Sequence, residues 1–230
     1  MSRNSGGPQL DREGTMELWN HNVHYCGVVL RAVPKGCGRA LDVGCGQGGL
    51  ARELAQFCER TIGIDADGEI LALARAAGQL EERVAFIEGD AMTYAFPDGN
   101  FDLITAVASL HHLPLRPALR RFGELLRPGG VLAVIGLYRV ATAADYAYAA
   151  AAIPASRAIR IFRGSKPGEG RGLEPSIRKP KEAEPQETLG TIRAACDEVL
   201  PGGKFKRRLL YRYSFVWRKP EAPADGRREA

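Results

Sequence analysis

With 230 residues, the chain is long enough for one sizeable domain with a real core and too short for two equal domains. Hydrophobic residues at 45% and charged residues at 26% are ordinary for a globular protein. No apolar run reaches the ~18 residues of a membrane span, and residues 1–14 lack the apolar core of a signal peptide, so a cytoplasmic protein with no membrane partner is expected. The net charge of +5 is uneven. Residues 1–156 carry 14 Lys+Arg against 17 Asp+Glu, and residues 157–230 carry 18 against 10. The basic third is compatible with a solvated face, an acidic or phosphate-bearing substrate, or a nucleic acid. Five cysteines (Cys26, Cys37, Cys45, Cys58, Cys196) are scattered, with no C-x-x-C spacing, so reduced thiols and no metal are expected.

In chain order, Met1–Gly14 is polar and glycine-containing and reads as a disordered tail. Apolar residues at broadly helical spacing from Thr15 to Val33 predict one or two helices, stopped by Pro34-Lys35-Gly36. Within them lies a polar and aromatic cluster of Trp19, Asn20, His21, Asn22, His24 and Tyr25. Ala40–Ala51 then reads as strand, glycine turn, helix: an apolar run interrupted by Asp42, then Gly44, Gly46, Gly48 and Gly49, then a helix over Leu50–Phe57. Such glycines let the chain turn tightly and let a ligand approach the backbone, and the helix start beyond is expected to offer free N–H groups.

Two ligands suit that loop. Gly44-x-Gly46-x-x-Gly49 fits the dinucleotide fingerprint. Asp42, two residues before the first glycine, gives D-x-G-x-G-x-G, and a carboxylate there suits a cationic ligand such as S-adenosylmethionine. A glycine turn without a ligand is the third reading. On these residues the chain resembles the class I S-adenosylmethionine-dependent methyltransferases. The resemblance implies S-adenosylmethionine as cofactor, with S-adenosylhomocysteine as product, and contacts from Asp42, Gly44, Cys45, Gly46 and Gly48. It also makes Trp19, Asn20, His21, His24 and Tyr25 candidates for lining the substrate mouth, since helices before the first strand often lie over the donor in that family.

The strands that follow continue the pattern. Arg60–Asp65 is a short apolar strand whose terminal acid stands about 20 residues beyond the glycine turn, where a carboxylate holds a ribose diol. Asp65, with Ala66 beside it, takes that role, and Asp67 is the fallback, although it also suits the cap of a helix over Gly68–Ala77. Arg83–Glu88 is a third strand, followed by Gly89-Asp90-Ala91. By resemblance Asp90 accepts from the adenine amine and Ala91 offers its N–H. Phe101–Val107 is a fourth strand running into Ala108-Ser109-Leu110-His111-His112-Leu113-Pro114. A helix over Leu115–Arg127, a stop at Pro128-Gly129-Gly130 and a buried strand over Val131–Tyr138 complete the pattern. These distal motifs also resemble small-molecule class I methyltransferases, so the likeness spans about residues 38–138. Ala108 is placed at the donor, and His112 and His111 are candidates for a general base or an acceptor anchor. Loop packing alone is the competing explanation for the histidine pair.

Beyond residue 138 the alternation loosens. Ala141–Phe162 reads as a helix interrupted at Pro154, Gly164–Glu187 as a flexible flap, and Thr188–Leu200 as a further helix. Lys204–Lys219 alternates with period two and has no Gly or Asn turn inside it, although the family closes its sheet with two antiparallel strands here. The expected fold is therefore α/β: a doubly wound, mainly parallel, Rossmann-like seven-stranded sheet with an antiparallel last strand and a helical cap, forming one domain over residues 15–219 before a charged tail. The expected function is methyl transfer to O or N of a small molecule, with a monomer or homodimer as the assembly. The loop after the fourth strand lacks the Asn/Asp-Pro-Pro-aromatic motif of base amino methylators and a Pro-Cys nucleophile, which argues against nucleic acid. A methyltransferase of RNA or protein, an NAD enzyme and a nucleotide-binding module without turnover are the alternatives.

Overall fold

The computed structural model describes residues 21–77, 82–97, 99–143, 145–148, 184–209 and 211–221. The expected tail at 1–14, Trp19 and Asn20, most of the Ala141–Phe162 helix, most of the Gly164–Glu187 flap and the terminal residues from 222 lie outside the described residues. The elements are α1 (His21–Leu30), β1 (Cys37–Val43), α2 (Gly49–Leu54), β2 (Cys58–Asp65), α3 (Gly68–Ala76), β3 (Val84–Glu88), β4 (Phe101–Val107), a 3-10 turn (Leu110–His112), α4 (Leu115–Leu125), β5 (Leu126–Leu137), α5 (Leu189–Val199), β6 (Lys204–Arg208) and β7 (Arg212–Arg218).

Strands with continuous apolar runs must be covered on both faces, and this dictates the layering. Seven strands form one sheet in the order β3-β2-β1-β4-β5-β7-β6. β1 pairs in parallel with β2 and β4, β2 with β3, and β4 with β5, whereas β7 is antiparallel to both β5 and β6. Alternate residues divide between two cores. Leu132 and Val134 of β5 pack with Leu119 and Phe122 of α4 and with Ile192 and Cys196 of α5. Val131, Ala133 and Ile135 pack with Tyr25 and Val29 of α1 and with Leu50 and Leu54 of α2. Phe86 of β3 is shared by the apolar faces of α2 and α3. The doubly wound expectation holds, and the strand order reverses between β1 and β4, where such sheets open a ligand crevice.

Local signals explain most boundaries. Asp67 caps α3 through its side chain, accepting from the N–H groups of Glu69 and Ile70 at 3.0 and 3.2 Å. Thr188 caps α5 by accepting from Thr191 N at 3.2 Å. α2 is shorter than expected, β5 starts earlier, and the boundary between the last two strands, left open by the sequence, falls between Arg208 and Arg212. β5 begins at Leu126, before Pro128-Gly129-Gly130, because Gly129 takes φ 76 and the pairing with β4 shifts register between Phe101 and Leu103, which carries the strand through the breaker. The stretch at 204–219 forms the two closing strands expected by resemblance, and the turn between them uses Tyr211 at φ 57 where a Gly or Asn is usual. At the amino ends of the strands Asp102 accepts from Gly38 N and Arg39 N at 3.0 and 2.7 Å and pairs with Arg127, tying β1, β4 and β5 together.

The expectation of five reduced thiols is corrected: Cys37 and Cys58 form a disulfide. They are 21 residues apart in sequence but directly opposed in the β1–β2 register, with Cα atoms 4.6 Å apart. Sequence spacing carries no trace of that register. The bond closes the loop holding β1, the glycine turn and α2. Loops of this length confer about 3 kcal/mol in the chain-entropy account. Reductant is expected to lower the unfolding free energy from urea denaturation by about that amount, and the Cys37→Ala/Cys58→Ala double variant should show no response to reductant.

Candidate active site

The glycine turn is built from inward-pointing N–H groups. At the end of β1 the chain turns at Gly44, φ 67, and the amides of Gly44 and Cys45 both donate to the Ile64 carbonyl, at 2.8 and 3.2 Å. Gly46 N donates to Asp65 Oδ2 at 2.8 Å, and Gly48 N to the Cys45 carbonyl at 2.9 Å. A Cβ at Gly44 would overlap the Cβ of Ser109, and one at Gly48 would overlap the Phe86 ring, so both positions need glycine for space as well as for positive φ. The amides of residues 44, 45, 46 and 48 are therefore engaged within the protein, and α2 beyond them has only six residues. A pyrophosphate depends on such donors. The turn instead leaves an exposed Gly44 and open space at Gly46, where a Cβ would meet nothing nearer than Ile70 Cδ1 at 3.9 Å, beside the carboxylates of Asp42 and Asp65. That surface suits a cationic ligand without bulky backbone neighbours.

The three acids occupy successive strand ends. Asp42 is buried at 2% exposure, and Thr105, its register partner on β4, donates to its Oδ1 at 2.7 Å. Burial drives its pKa up to about 7, the Thr105 hydrogen bond opposes this, and the nearby Asp65 charge adds to it. Asp65 is half-buried at the tip of β2; one oxygen receives Gly46 N and the other receives Asp67 N at 3.0 Å, which fixes its orientation while leaving lone pairs on both oxygens. Asp67 is committed to the α3 cap and Ala66 is exposed beside it. Asp90, past β3, is exposed and accepts from Met92 N at 2.8 Å, while Ala91 is buried. Cys45 turns its side chain into the apolar group of Ile70, Leu71 and Ala74, and burial pushes its thiol pKa up.

The loop after β4 closes against the glycine turn. Ala108 has φ 54 and its amide donates to the Ile135 carbonyl at 2.8 Å; Ser109 Oγ donates to the Val43 carbonyl at 2.6 Å. His111 and His112 then stack, ring centroids 4.0 Å apart. His111 is the more enclosed: its Nδ1 is buried without a hydrogen-bond partner among the described residues, and burial, followed by the charges of His112 and Arg212, lowers its pKa to about 4. His112 is exposed. Tyr25 is buried and its hydroxyl donates to the Leu209 carbonyl at 3.2 Å, fastening α1 to the β6–β7 turn. His21 and His24 lie on α1 one turn apart.

Asp42, Gly44, Gly46, Asp65, Asp90 and Ala108 thus converge on the carboxyl ends of four neighbouring strands. Two contributors escaped the sequence reading. Thr105 and Ser109 look like ordinary strand and loop residues, and only the parallel β1–β4 register brings them to Asp42 and Val43. A doubly wound sheet whose switch point carries acids and an inward-turned glycine loop opens a ligand crevice of the Rossmann-like class.

The comparisons give the family. Residues 41–134 match the family model described as a methyltransferase domain. An uncharacterized methyltransferase of Mycobacterium tuberculosis is 32% identical over 203 residues, covering 88% of this chain and 98% of the relative. A demethylmenaquinone methyltransferase of Roseiflexus castenholzii is 34% identical over 116 residues, 48% of each chain. The N-methyltransferase NodS of Bradyrhizobium japonicum, solved with S-adenosylhomocysteine, has a TM-score of 0.56 at 16% identity and covers 92% of this chain and 94% of that one. The chain belongs to the S-adenosylmethionine-dependent methyltransferases.

Because the folded chain binds the Asp42 proton more tightly than the unfolded chain, this group's contribution to stability falls as pH rises from 3.8 through about 7. Urea midpoints of the ligand-free protein are expected to decline across that window, and Asp42→Asn should flatten the decline.

Proposed function

We propose that this enzyme transfers the methyl group of S-adenosylmethionine to an oxygen or nitrogen of a small-molecule acceptor. The observation that carries the reading is Asp42, a carboxylate buried beside a glycine turn whose amides face inward. A cation placed over Gly44 and Gly46 would relieve the cost of ionising Asp42, whereas a dinucleotide pyrophosphate would meet that carboxylate with few donors to offset it. The relative named for demethylmenaquinone supports a small acceptor.

The residues fit this donor. Asp42 and the Gly44–Gly48 turn, with Cys45 as a core anchor, would hold its amino-acid end. Asp65, with Ala66 beside it, would take the ribose hydroxyls, and Asp90 and Ala91 the adenine. Ala108 would line the approach to the reactive centre. The sulfonium supplies an activated methyl group, so the protein's main task is to hold the acceptor in line and keep water out, an effect that can contribute ~7–11 kcal/mol. His111, kept neutral by burial, presents a nitrogen that can orient the acceptor. His112, on the exposed side of the pair, is placed to take a proton from a hydroxyl or ammonium acceptor.

Calorimetry with S-adenosylhomocysteine and with NAD tests the donor assignment: the first should bind and the second should not. Asp65→Ala is expected to weaken S-adenosylhomocysteine by roughly 1.5–3 kcal/mol, since it removes a charged partner from two hydroxyls. Unchanged affinity in a variant with native circular dichroism would exclude Asp65 from the ribose. With a proton-bearing acceptor, His112→Ala is expected to lower turnover about 10²- to 10⁴-fold with donor affinity intact. A loss nearer tenfold that is independent of pH would leave positioning as the whole contribution of this pair.

A further inference from the structure

The Cys37–Cys58 disulfide lies at the opposite edge of the sheet from the glycine turn and the acids. β1 and β2 run in parallel, and the two cysteines are their first residues, directly opposed in register. At their other ends the same strands carry the candidate donor site, where the amides of Gly44 and Cys45 donate to the Ile64 carbonyl and Gly46 N donates to Asp65. The β1–α2–β2 unit is thus closed at both ends, by hydrogen bonds beside Asp42 and Asp65 and by the disulfide.

A crevice borders one half of this disulfide. Its volume is about 250 Å³ and its walls are Gln56, Phe57, Cys58, Glu59 and Arg83, so it meets Cys58 and not Cys37. Strand pairing accounts for it: β2 pairs with β1 from Cys58 onward but with β3 only from Thr61 onward, which leaves the outer side of Cys58, Glu59 and Arg60 without a neighbouring strand. Phe57, Glu59 and Arg83 are exposed, so the crevice combines an apolar ring with one charge of each sign. Cys58 also belongs to the buried cluster that contains Cys37 and, from α2, Leu50 and Leu54. α2 has six residues and follows the glycine turn directly, so a disturbance of this cluster reaches the turn through a short, stiff connection.

We propose that Cys58 is a reversible thiolation site, at which a zwitterionic low-molecular-weight thiol of the glutathione class opens the disulfide and weakens donor binding. The site rests on the crevice and the strand register, and its consequence rests on the donor assignment above. Access decides which sulfur of a disulfide is attacked, and the crevice gives access to Cys58. The incoming thiolate forms a bond to Cys58 Sγ as the Cys37–Cys58 bond breaks, and the electron pair leaves on Cys37 Sγ, which takes a proton from water. Glu59 and Arg83 would receive the ammonium and a carboxylate of the bound thiol, and the adduct would press on the cluster shared with Leu50 and Leu54. A second thiol attacks the small-molecule sulfur of the mixed disulfide and frees Cys58. In sum the protein disulfide gains two electrons and two protons, and two small thiols are oxidised to one small disulfide.

Glutathione and the full chain test this. The oxidised protein is incubated with reduced glutathione at ~1–10 mM, quenched with acid and mapped by peptide mass, and the adduct is expected on Cys58 and not on Cys37. In Cys37→Ser, where Cys58 has no partner to displace the adduct, glutathione disulfide should load Cys58. In Cys58→Ser the buried Cys37 should load at least ~10-fold more slowly. Glu59→Gln and Arg83→Gln, each combined with Cys37→Ser, should slow loading by glutathione disulfide about 2- to 10-fold and leave loading by the uncharged hydroxyethyl disulfide unchanged. By calorimetry, glutathione-loaded Cys37→Ser should bind S-adenosylhomocysteine at least ~5-fold more weakly than the same variant before loading, and dithiothreitol should restore the affinity. An adduct on Cys37, no adduct, equal loading of the two single variants, loading indifferent to both charges, or unchanged S-adenosylhomocysteine affinity after loading would overturn the proposal. Should either cysteine variant not fold, the mapped wild-type adduct and the wild-type affinity before and after glutathione carry the same comparison. Failure of the untreated wild type to bind S-adenosylhomocysteine would instead overturn the donor assignment, while the mapped adduct would still decide the thiolation site.

Discussion

A carboxylate in the middle of a parallel sheet is costly unless something at its strand end is arranged to use it. Asp42 occupies that position, and the arrangement depends on β1 lying between β2 and β4 in one register. That register sets Thr105 opposite Asp42, brings the Ile64 carbonyl within reach of two amides of the glycine turn, and places Ser109 where it fills the space a side chain at Gly44 would need. A shift of β4 by one residue would turn Thr105 to the other face and leave Asp42 without its hydroxyl partner. The central strand triplet therefore determines both the fold and the polarity of the candidate site.

The inward direction of the turn amides connects that backbone arrangement to chemistry. Glycine-rich turns serve anions when their N–H groups face the ligand and serve other ligands when they do not. Here the amides of Gly44, Cys45 and Gly46 are consumed by β2, and the carboxylates of Asp42 and Asp65 take their place along the crevice. Beyond the ends of β4 and β5 lie a stacked histidine pair and Arg212.

Legibility in the sequence followed the range of the interactions. The alternating strands and helices, the cap of α3, the glycine turn and the acids at the strand ends were readable, because each depends on neighbours within a few residues or on hydrophobic period. The turn at Tyr211 was not, because a non-glycine residue at positive φ gives no local signal and is held by strand pairing on both sides. The early start of β5 was missed for a related reason: pairing with β4 carries the strand through Pro128-Gly129-Gly130, which reads locally as a stop.

The sequence by itself determined the doubly wound sheet, the glycine turn at its switch point and the acids at the ends of the first three strands, since periodicity and short motifs encode these within one element at a time. Only the tertiary structure decided that Cys37 and Cys58 meet, that Thr105 and Ser109 brace Asp42 and Gly44, that Tyr25 is a buried anchor for the last hairpin, and that Arg208 opposes Arg212 across the last hairpin. Each joins residues on different strands or helices. Strand order and register, settled by burying both faces of the sheet at once, leave no mark on the spacing of the residues they bring together.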